Sequence, residues 1–295
     1  MRAPSTDESG VRVQTIGSVA ELASRYDAVL CDVWGVLHDG RTVFPGAGDA
    51  LVGLRAAGVC VVLLTNMPRP SSTMPAALDR LGFPDAAWDA IVTSGDAIRS
   101  ELATRAPGPV HRLGRHTDVG LWEDLGLHFV DDLAGARFLA MAGLRDGDET
   151  PDDYRGVLRA ARDLDLELLC ANPDVQIMSG GRLRWCAGAV AEAYAALGGR
   201  VVQAGKPHAP IYDRAFEVLA TVSGRAVPRE RVLAIGDGPA TDLLGANQQG
   251  LDSLFIATGI HGDSLVDGDE VVLGRVAALL AAAGVTASYA MARLG

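Results

Sequence analysis

The chain has 295 residues, of which 48% are hydrophobic and 35 are glycine, a composition that excludes disordered and fibrous proteins. Its formal net charge of −11 and its lack of any basic run argue against nucleic acid or an anionic membrane as the main partner. No stretch has 18 uncharged apolar residues, the N-terminal MRAPSTDESG lacks a signal-peptide core, and the four cysteines lack metal or disulfide spacing. These features predict a reduced, cytoplasmic protein of one large domain or two.

Short apolar runs alternate with helical patterns along the chain. The runs at 28–33, 60–65 and 231–236 are almost continuously apolar, which is typical of parallel strands buried on both faces. A more polar strand is predicted at 89–95. The alternation predicts an α/β fold with a doubly wound, Rossmann-like parallel sheet, whose ligand lies beyond the carboxyl ends of the strands.

The middle of the chain has weaker strand patterns, frequent glycine and charged helices. It predicts a second α/β unit over 105–198, inserted as a cap into a core formed by 1–104 and 199–295. The Pro-Gly at 107–108 and the Gly-Gly at 198–199 mark the two junctions.

Polar side chains follow several of the predicted strands. Each alone is typical of a helix cap or a turn. Together, at the same edge of one sheet, they would form a site for an anion and a cation, which packing alone does not explain. The side chains are Asp32, Thr65 with Asn66, Lys206 after RVVQA, and Asp237 with Asp242 five residues later.

Lys206 is the only lysine among 26 Lys and Arg residues. This set of groups suits phosphoryl transfer, because a carboxylate can attack phosphorus and form an aspartyl phosphate. Two carboxylates and a carbonyl can hold a hard divalent ion such as Mg²⁺. Thr65 and the following backbone N–H can hold phosphoryl oxygens. A compact ammonium can bridge nucleophile and phosphate where a planar guanidinium is too wide.

Four segments in order resemble the motifs of the haloacid dehalogenase superfamily of Mg²⁺-dependent phosphatases. They are CDVWGVLHDG (31–40), LLTN (63–66), GKP (205–207) and IGDGPATD (235–242). The long insert between the second and third segments resembles the C2-capped, class IIA branch, which includes p-nitrophenyl phosphatases. The resemblance covers residues 28 to about 260.

The resemblance implies a Mg²⁺-dependent hydrolase of a small phosphorylated metabolite, such as a sugar or nucleotide phosphate, or of an aryl phosphate. It leaves a homodimer open. The roles that it implies are Asp32 as nucleophile and metal ligand, Thr65 and Asn66 as phosphate ligands, Lys206 as the lysine of the third motif, and Asp237 and Asp242 as metal ligands.

The cap would close on the substrate and determine specificity. Asn172 and Asp174 are the candidates for substrate contact there, although Asn-Pro-Asp is equally typical of a plain turn.

The chain departs from the family pattern at Trp34, where these phosphatases usually carry a second aspartate that acts as acid and base. The backbone carbonyl of Trp34 can still bind the metal, but its indole N–H is only a donor and cannot shuttle protons. His38 and Asp39 are candidates for the vacant role, although HDG also reads as a turn. The alternative function is therefore a phosphate-ester binding or regulatory protein with weak or lost turnover.

Overall fold

The computed structural model describes residues 13–117, 119–179 and 181–295, so the polar N-terminal stretch lies outside the described residues. The strands are β1 (Gln14–Thr15), β2 (Ala28–Cys31), β3 (Cys60–Thr65), β4 (Ala90–Thr93), β5 (Val110–Leu113), β6 (Phe138–Met141), β7 (Glu167–Cys170), β8 (Gln176–Ser179), β9 (Arg182–Trp185), β10 (Arg200–Gln203), β11 (Val232–Gly236), β12 (Asp252–Ile256), β13 (Val266–Asp267), β14 (Glu270–Val271) and β15 (Tyr289–Met291).

The helices of the described residues are α1 (Ala47–Ala56), α2 (Met74–Arg80), α3 (Ser94–Arg105), α4 (Val119–Trp122), α5 (Arg155–Asp163), α6 (Ala187–Ala196), α7 (Ala209–Ser223), α8 (Leu244–Gln249) and α9 (Leu273–Ala283). Among the described residues, none of these helices combines the length and the apolar character that crossing a bilayer would require.

The chain divides into two compact units. Unit 1 comprises Met1–Leu63, Phe83–Ala90 and Leu219–Gly295, and unit 2 comprises Leu64–Gly82 and Ile91–Val218. These units divide the chain at other positions than the boundaries predicted for core and cap, which stay a prediction.

Unit 1 contains a parallel sheet in which six strands follow the order β1-β15-β12-β11-β2-β3. The central strands β2 and β11 are buried at every residue, as their continuous apolar runs predict. Cys31 of β2 lies opposite Ile235 of β11, so the two strands end at nearly the same level. The predicted doubly wound, parallel α/β fold is confirmed.

Unit 2 contains a four-stranded parallel sheet in the order β10-β7-β6-β5. Its core includes Leu139, Leu168 and Tyr194, each fully buried. The antiparallel hairpin of β8 and β9 follows β7, and the sequence patterns did not predict it. Its strands, QIMS and RLRW, mix polar with apolar residues and are partly exposed, so they lack the continuous apolar signal of a buried strand.

One strand assignment was wrong. The sequence analysis placed Lys206 after a strand of the same sheet as Asp32, but β10, which precedes Lys206, pairs with β7 in the sheet of unit 2. The reason is topological, because β7, α6 and β10 form a parallel crossover, and such connections return to the sheet that they leave. The apolar run of β10 carries no information about which sheet it joins.

Candidate functional site

Seven of the predicted site residues, together with Ser94, form two clusters, each contained in one unit. The acidic cluster in unit 1 consists of Asp32, Asp237 and Asp242. The amide cluster in unit 2 consists of Thr65, Asn66, Ser94, Asp174 and Lys206.

The acidic cluster follows from the pairing of β2 with β11. Asp32 directly follows β2, and its N–H donates to the carbonyl of Ile235 at 2.8 Å, which continues the ladder by one residue. Asp237 directly follows β11. Oxygens of Asp32, Asp237 and Asp242 all lie within 4.8 Å of one another, and each residue is only 5% exposed.

Asp237 is held closely by backbone on both sides. Its Oδ2 accepts a hydrogen bond of 2.5 Å from the N–H of Ile260. A Cβ atom added to Gly35 would lie 2.1 Å from this oxygen, and one added to Gly259 would lie 2.0 Å from it. Gly35 also has a φ of +87°, which favours glycine. These two glycines are therefore required for the carboxylate to occupy its place.

Asp242 lies in the single π-helical turn Pro239–Leu243, an element often found at functional sites. Its Oδ2 accepts a hydrogen bond of 3.0 Å from the N–H of Gly238. A Cβ at Gly236 would lie 2.2 Å from Cγ of Asp242, so this position also needs glycine. In the GDG sequence at 236–238, the backbone therefore packs closely against the carboxylate of Asp242.

The donor set of the acidic cluster fits a hard divalent cation. All its ligand atoms are carboxylate oxygens, which Mg²⁺ prefers, and they are close enough to share one ion. Three buried carboxylates at this spacing repel one another, and a bound cation relieves that repulsion. The structure brings together the three predicted carboxylate ligands. The predicted contact of the Trp34 carbonyl with the metal stays a prediction.

The loop after Asp32 contains Trp34 and the two candidates for proton transfer, His38 and Asp39. The Trp34 indole meets the His38 imidazole edge to face, with ring centroids 5.4 Å apart. His38 is 5% exposed, its Nδ1 accepts from the N–H of Gly40 at 3.0 Å, and burial lowers its pKa. Its neutral form therefore carries the ring proton on Nε2.

Asp39 has the role of a turn former. Its Oδ1 accepts hydrogen bonds from the N–H of Arg41 at 2.9 Å and from the N–H of Thr42 at 2.8 Å. These bonds to the charged form lower the pKa of Asp39 below its ordinary value. The carboxylate is thus stabilised as an anion that closes the turn, which suits a general acid poorly.

The amide cluster is centred on Asn66, which directly follows β3. Its Oδ1 accepts from the N–H of Lys206 at 2.7 Å, and its Nδ2 donates to the carbonyl of Lys206 at 3.1 Å and to Oδ1 of Asp174 at 2.7 Å. Asn66 and Lys206 are each 3% exposed. The Thr65 hydroxyl accepts from the N–H of Met67 at 3.2 Å, which leaves its own proton for donation.

The buried Ser94 hydroxyl links the segment of Asn66 to the segment that precedes Asp174. Ser94 begins α3, is fully buried, and its hydroxyl lies 2.8 Å from the carbonyl of Asn66 and 2.5 Å from that of Ala171. The sequence analysis did not assign it a role. The one available signal was its position at the end of a predicted strand, in the TSG segment.

Asn172 and Asp174 form the turn that their sequence allows. Oδ1 of Asn172 accepts from the N–H of Asp174 at 3.1 Å, and the carbonyl of Asp174 accepts from Gly188 at 3.0 Å. Both side chains therefore have intramolecular hydrogen bonds within unit 2. The proposal that they contact a substrate stays a prediction.

Comparisons with known proteins give a consistent result. Residues 29–128 match the family of haloacid dehalogenase-like hydrolases, and residues 203–283 match the HAD-hydrolase-like family. Chronophin from Rattus norvegicus is 25% identical over 267 residues, which cover 82% of this chain and 80% of that protein.

Two solved structures extend the comparison. A haloacid dehalogenase-like hydrolase from Brucella suis 1330 is 38% identical, with a TM-score of 0.84 over 94% of this chain and 99% of that chain. A glycerol phosphate phosphatase from Mycobacterium tuberculosis, solved in complex with magnesium, is 25% identical. Its TM-score is 0.62 over 81% of this chain and 70% of that chain.

Proposed function

Because this chain belongs to the haloacid dehalogenase-like hydrolase family, we propose that it is a Mg²⁺-dependent phosphomonoester hydrolase acting through an aspartyl phosphate on Asp32. The family resemblance predicted from the sequence, including the C2-capped branch, is confirmed. The observation that carries the proposal is the acidic cluster, in which three buried carboxylates lie within 4.8 Å of one another.

In the proposed reaction, a carboxylate oxygen of Asp32 attacks phosphorus. The bond between phosphorus and the ester oxygen breaks, and its electron pair leaves with the alcohol. Water then attacks phosphorus of the aspartyl phosphate and releases inorganic phosphate and the free carboxylate. Asp237 and Asp242 would hold Mg²⁺ with Asp32, and the ion would offset the negative charge between nucleophile and phosphate.

The phosphoryl oxygens would be bound by hydrogen-bond donors of the chain. The Thr65 hydroxyl proton, the backbone N–H of Asn66 and the Lys206 ammonium are the proposed donors. The side-chain amide of Asn66 is not among them, because both of its N–H groups already donate to Lys206 and Asp174. This refines the predicted phosphate contact of Asn66 to its backbone.

The relatives support this chemistry. The Mycobacterium tuberculosis relative is named a glycerol phosphate phosphatase and was solved with magnesium. From this relative we infer that the present chain also acts on a small phosphorylated metabolite and uses magnesium. A cytoplasmic location and a homodimer remain part of the proposal.

An alternative function rests on Trp34, which stands where the family usually has its acid and base aspartate. A protein on this fold that binds phosphate esters without efficient turnover would keep the acidic cluster and lose proton transfer. Binding and turnover assays distinguish the two functions directly.

The proposed function is tested by measuring phosphate release from a broad set of phosphomonoesters with Mg²⁺ and the purified protein. We expect release from at least one small phosphomonoester, dependent on Mg²⁺ and absent from Asp32→Asn. Absence of release from every compound at high protein concentration, together with saturable binding of a phosphate ester, would favour the binding protein.

A further inference from the structure

The side-chain amide of Asn66 has no N–H donor to spare for the phosphate that it was predicted to bind. A side-chain amide has two N–H donors, and here one donates to Asp174 and the other to the carbonyl of Lys206. Its oxygen accepts from the N–H of Lys206 at 2.7 Å. Asn66 therefore holds the backbone of Lys206 by two hydrogen bonds, one from its side-chain N–H to the carbonyl and one from the N–H of Lys206 to its side-chain oxygen.

These two hydrogen bonds form in only one orientation of the Asn66 side-chain amide. If the oxygen and nitrogen of Asn66 exchanged places, an N–H group would face the N–H of Lys206, and the oxygen would face the carboxylate of Asp174. Both contacts would be repulsive, because a carboxylate is only an acceptor and a backbone N–H is only a donor. The Asp174 carboxylate, 2.7 Å from Nδ2, thus selects the orientation that holds Lys206.

Further contacts fix the position of Asp174 and of the backbone before Lys206. Asp174 is set by the turn with Asn172, at 3.1 Å. On the other side, a Cβ atom at Gly205 would lie 2.5 Å from Oδ1 of Asn66 and 2.8 Å from Cγ of Pro173. The backbone before Lys206 therefore fits against Asn66 only because residue 205 is glycine.

We propose that Asp174 is a positioning residue that acts through Asn66 on Lys206, rather than a contact for the substrate. The proposal rests on the proposed function, in which the Lys206 ammonium binds the transferring phosphoryl group. A lysine side chain has a flexible four-carbon stem. Because of this flexibility, a loosely held backbone would leave the position of the charge even less defined. A shift of about 1 Å in a catalytic group can cost about 10²-fold in rate.

Positioning and substrate contact predict different kinetics. Loss of a positioning residue lowers kcat/KM by a similar factor for all substrates, because each presents the same phosphoryl group to Lys206. Loss of a contact to the leaving group lowers it selectively, for substrates that make the contact. We expect Asp174→Ala to lose about 10- to 100-fold for every substrate of a panel with different alcohols.

The chain offers a direct probe of this arrangement, because Lys206 is its only lysine. Labelling with ¹⁵N-lysine gives a single backbone amide signal in an NMR spectrum, and that signal reports the hydrogen bond from Lys206 to Asn66. This measurement needs no substrate, so it separates failure of the positioning proposal from failure of the proposed function.

The experiment compares the wild type, Asp174→Ala, Asp174→Asn and the exposed control Asp163→Ala, whose carboxylate pairs only with the neighbouring Arg162 among described residues. In Asp174→Ala we expect a shifted Lys206 amide signal and at least about tenfold faster hydrogen exchange, since the hydrogen bond loosens. Asp174→Asn keeps an acceptor oxygen for Asn66 and should restore most of the wild-type behaviour. Asp163→Ala should match the wild type.

An unchanged Lys206 signal and exchange rate in folded Asp174→Ala would overturn the proposal. So would a loss of kcat/KM confined to particular leaving groups. If Asp174→Ala does not fold, Asp174→Ser, whose shorter side chain falls short of Asn66, takes its place under the same criteria.

Discussion

The acidic cluster of unit 1 and the amide cluster of unit 2 are built in opposite ways. In the acidic cluster, three groups of the same charge lie within 4.8 Å, held in place by glycines that leave no room for a side chain. In the amide cluster, donors and acceptors satisfy one another around Asn66. The first arrangement gains from a cation, whereas the second is already complete without one.

The largest expected effect comes from removing the nucleophile from the acidic cluster. Asp32→Asn keeps the shape of the side chain but removes its nucleophilic charge, so turnover should fall at least about 10³-fold. Steady-state phosphate release, with circular dichroism to check the fold, measures this. A variant that retains a tenth of the wild-type rate would contradict the assignment of Asp32.

The next effect depends on the leaving group, because Trp34 cannot protonate the departing oxygen. General acid–base help contributes about 10²–10⁴-fold, so an alkyl phosphate should phosphorylate Asp32 slower than p-nitrophenyl phosphate by a comparable factor. The aryl substrate should give a burst of product equal to the enzyme concentration, followed by slow turnover. Rapid-quench kinetics measures the burst.

Equal rates for alkyl and aryl phosphates without a burst would mean that another residue transfers protons. His38→Gln would then test the buried imidazole, with Asp39→Asn as the comparison, since Asp39 already closes a turn.

Lys206→Arg tests whether the amide cluster positions a compact charge. The backbone contacts with Asn66 remain available, but the wider guanidinium cannot place its charge as an ammonium does. We expect a loss of about 10- to 100-fold in kcat/KM with little change in melting temperature. Near-normal activity in this variant would show that position 206 needs only a positive charge.

Mg²⁺ should stabilise the protein by binding to the acidic cluster. Mg²⁺ should raise the melting temperature of the wild type by a few degrees, since a ligand that binds only the folded state stabilises it. Gly259→Ala should abolish this increase, because its Cβ would lie 2.0 Å from Oδ2 of Asp237. Gly274→Ala is the matched control, as its Cβ meets nothing within 4 Å. An equal Mg²⁺ response in both variants would argue against the proposed site.

The smallest effect concerns an ion pair away from both clusters. Hydrogen bonds from Arg231 and Arg225 lower the pKa of Asp27 from 3.8 to about 2. A lowered pKa means that the charged form stabilises the fold above the ordinary value and that this gain is lost as the pH falls toward 2. Because the arginines are partly exposed, we expect Asp27→Asn to cost only about 1 kcal/mol at pH 7.

Denaturation with urea at several pH values tests this contribution. The difference in unfolding free energy between the wild type and Asp27→Asn should shrink below pH 4 and vanish only below about pH 2. A difference that is constant over this range would show that the side chain acts by packing rather than by charge.

The acidic cluster could be predicted from local sequence patterns. Asp32, Asp237 and Asp242 follow, or lie just beyond, buried apolar runs, and continuous runs of this kind form neighbouring parallel strands. Once two such strands are adjacent, the residues after them must meet, so local patterns were sufficient. The position of Lys206 as the only lysine was equally visible.

The organisation of the amide cluster could not be predicted from the sequence and became visible in the folded structure. The contacts of Asn66 join residues that are 108 and 140 positions apart in the chain. Whether a side-chain amide faces a ligand or another part of the backbone depends on these distant contacts and leaves no periodic signal. The same holds for β10, since strand propensity is local, whereas the sheet that a strand joins depends on which edge the crossover brings within hydrogen-bonding reach.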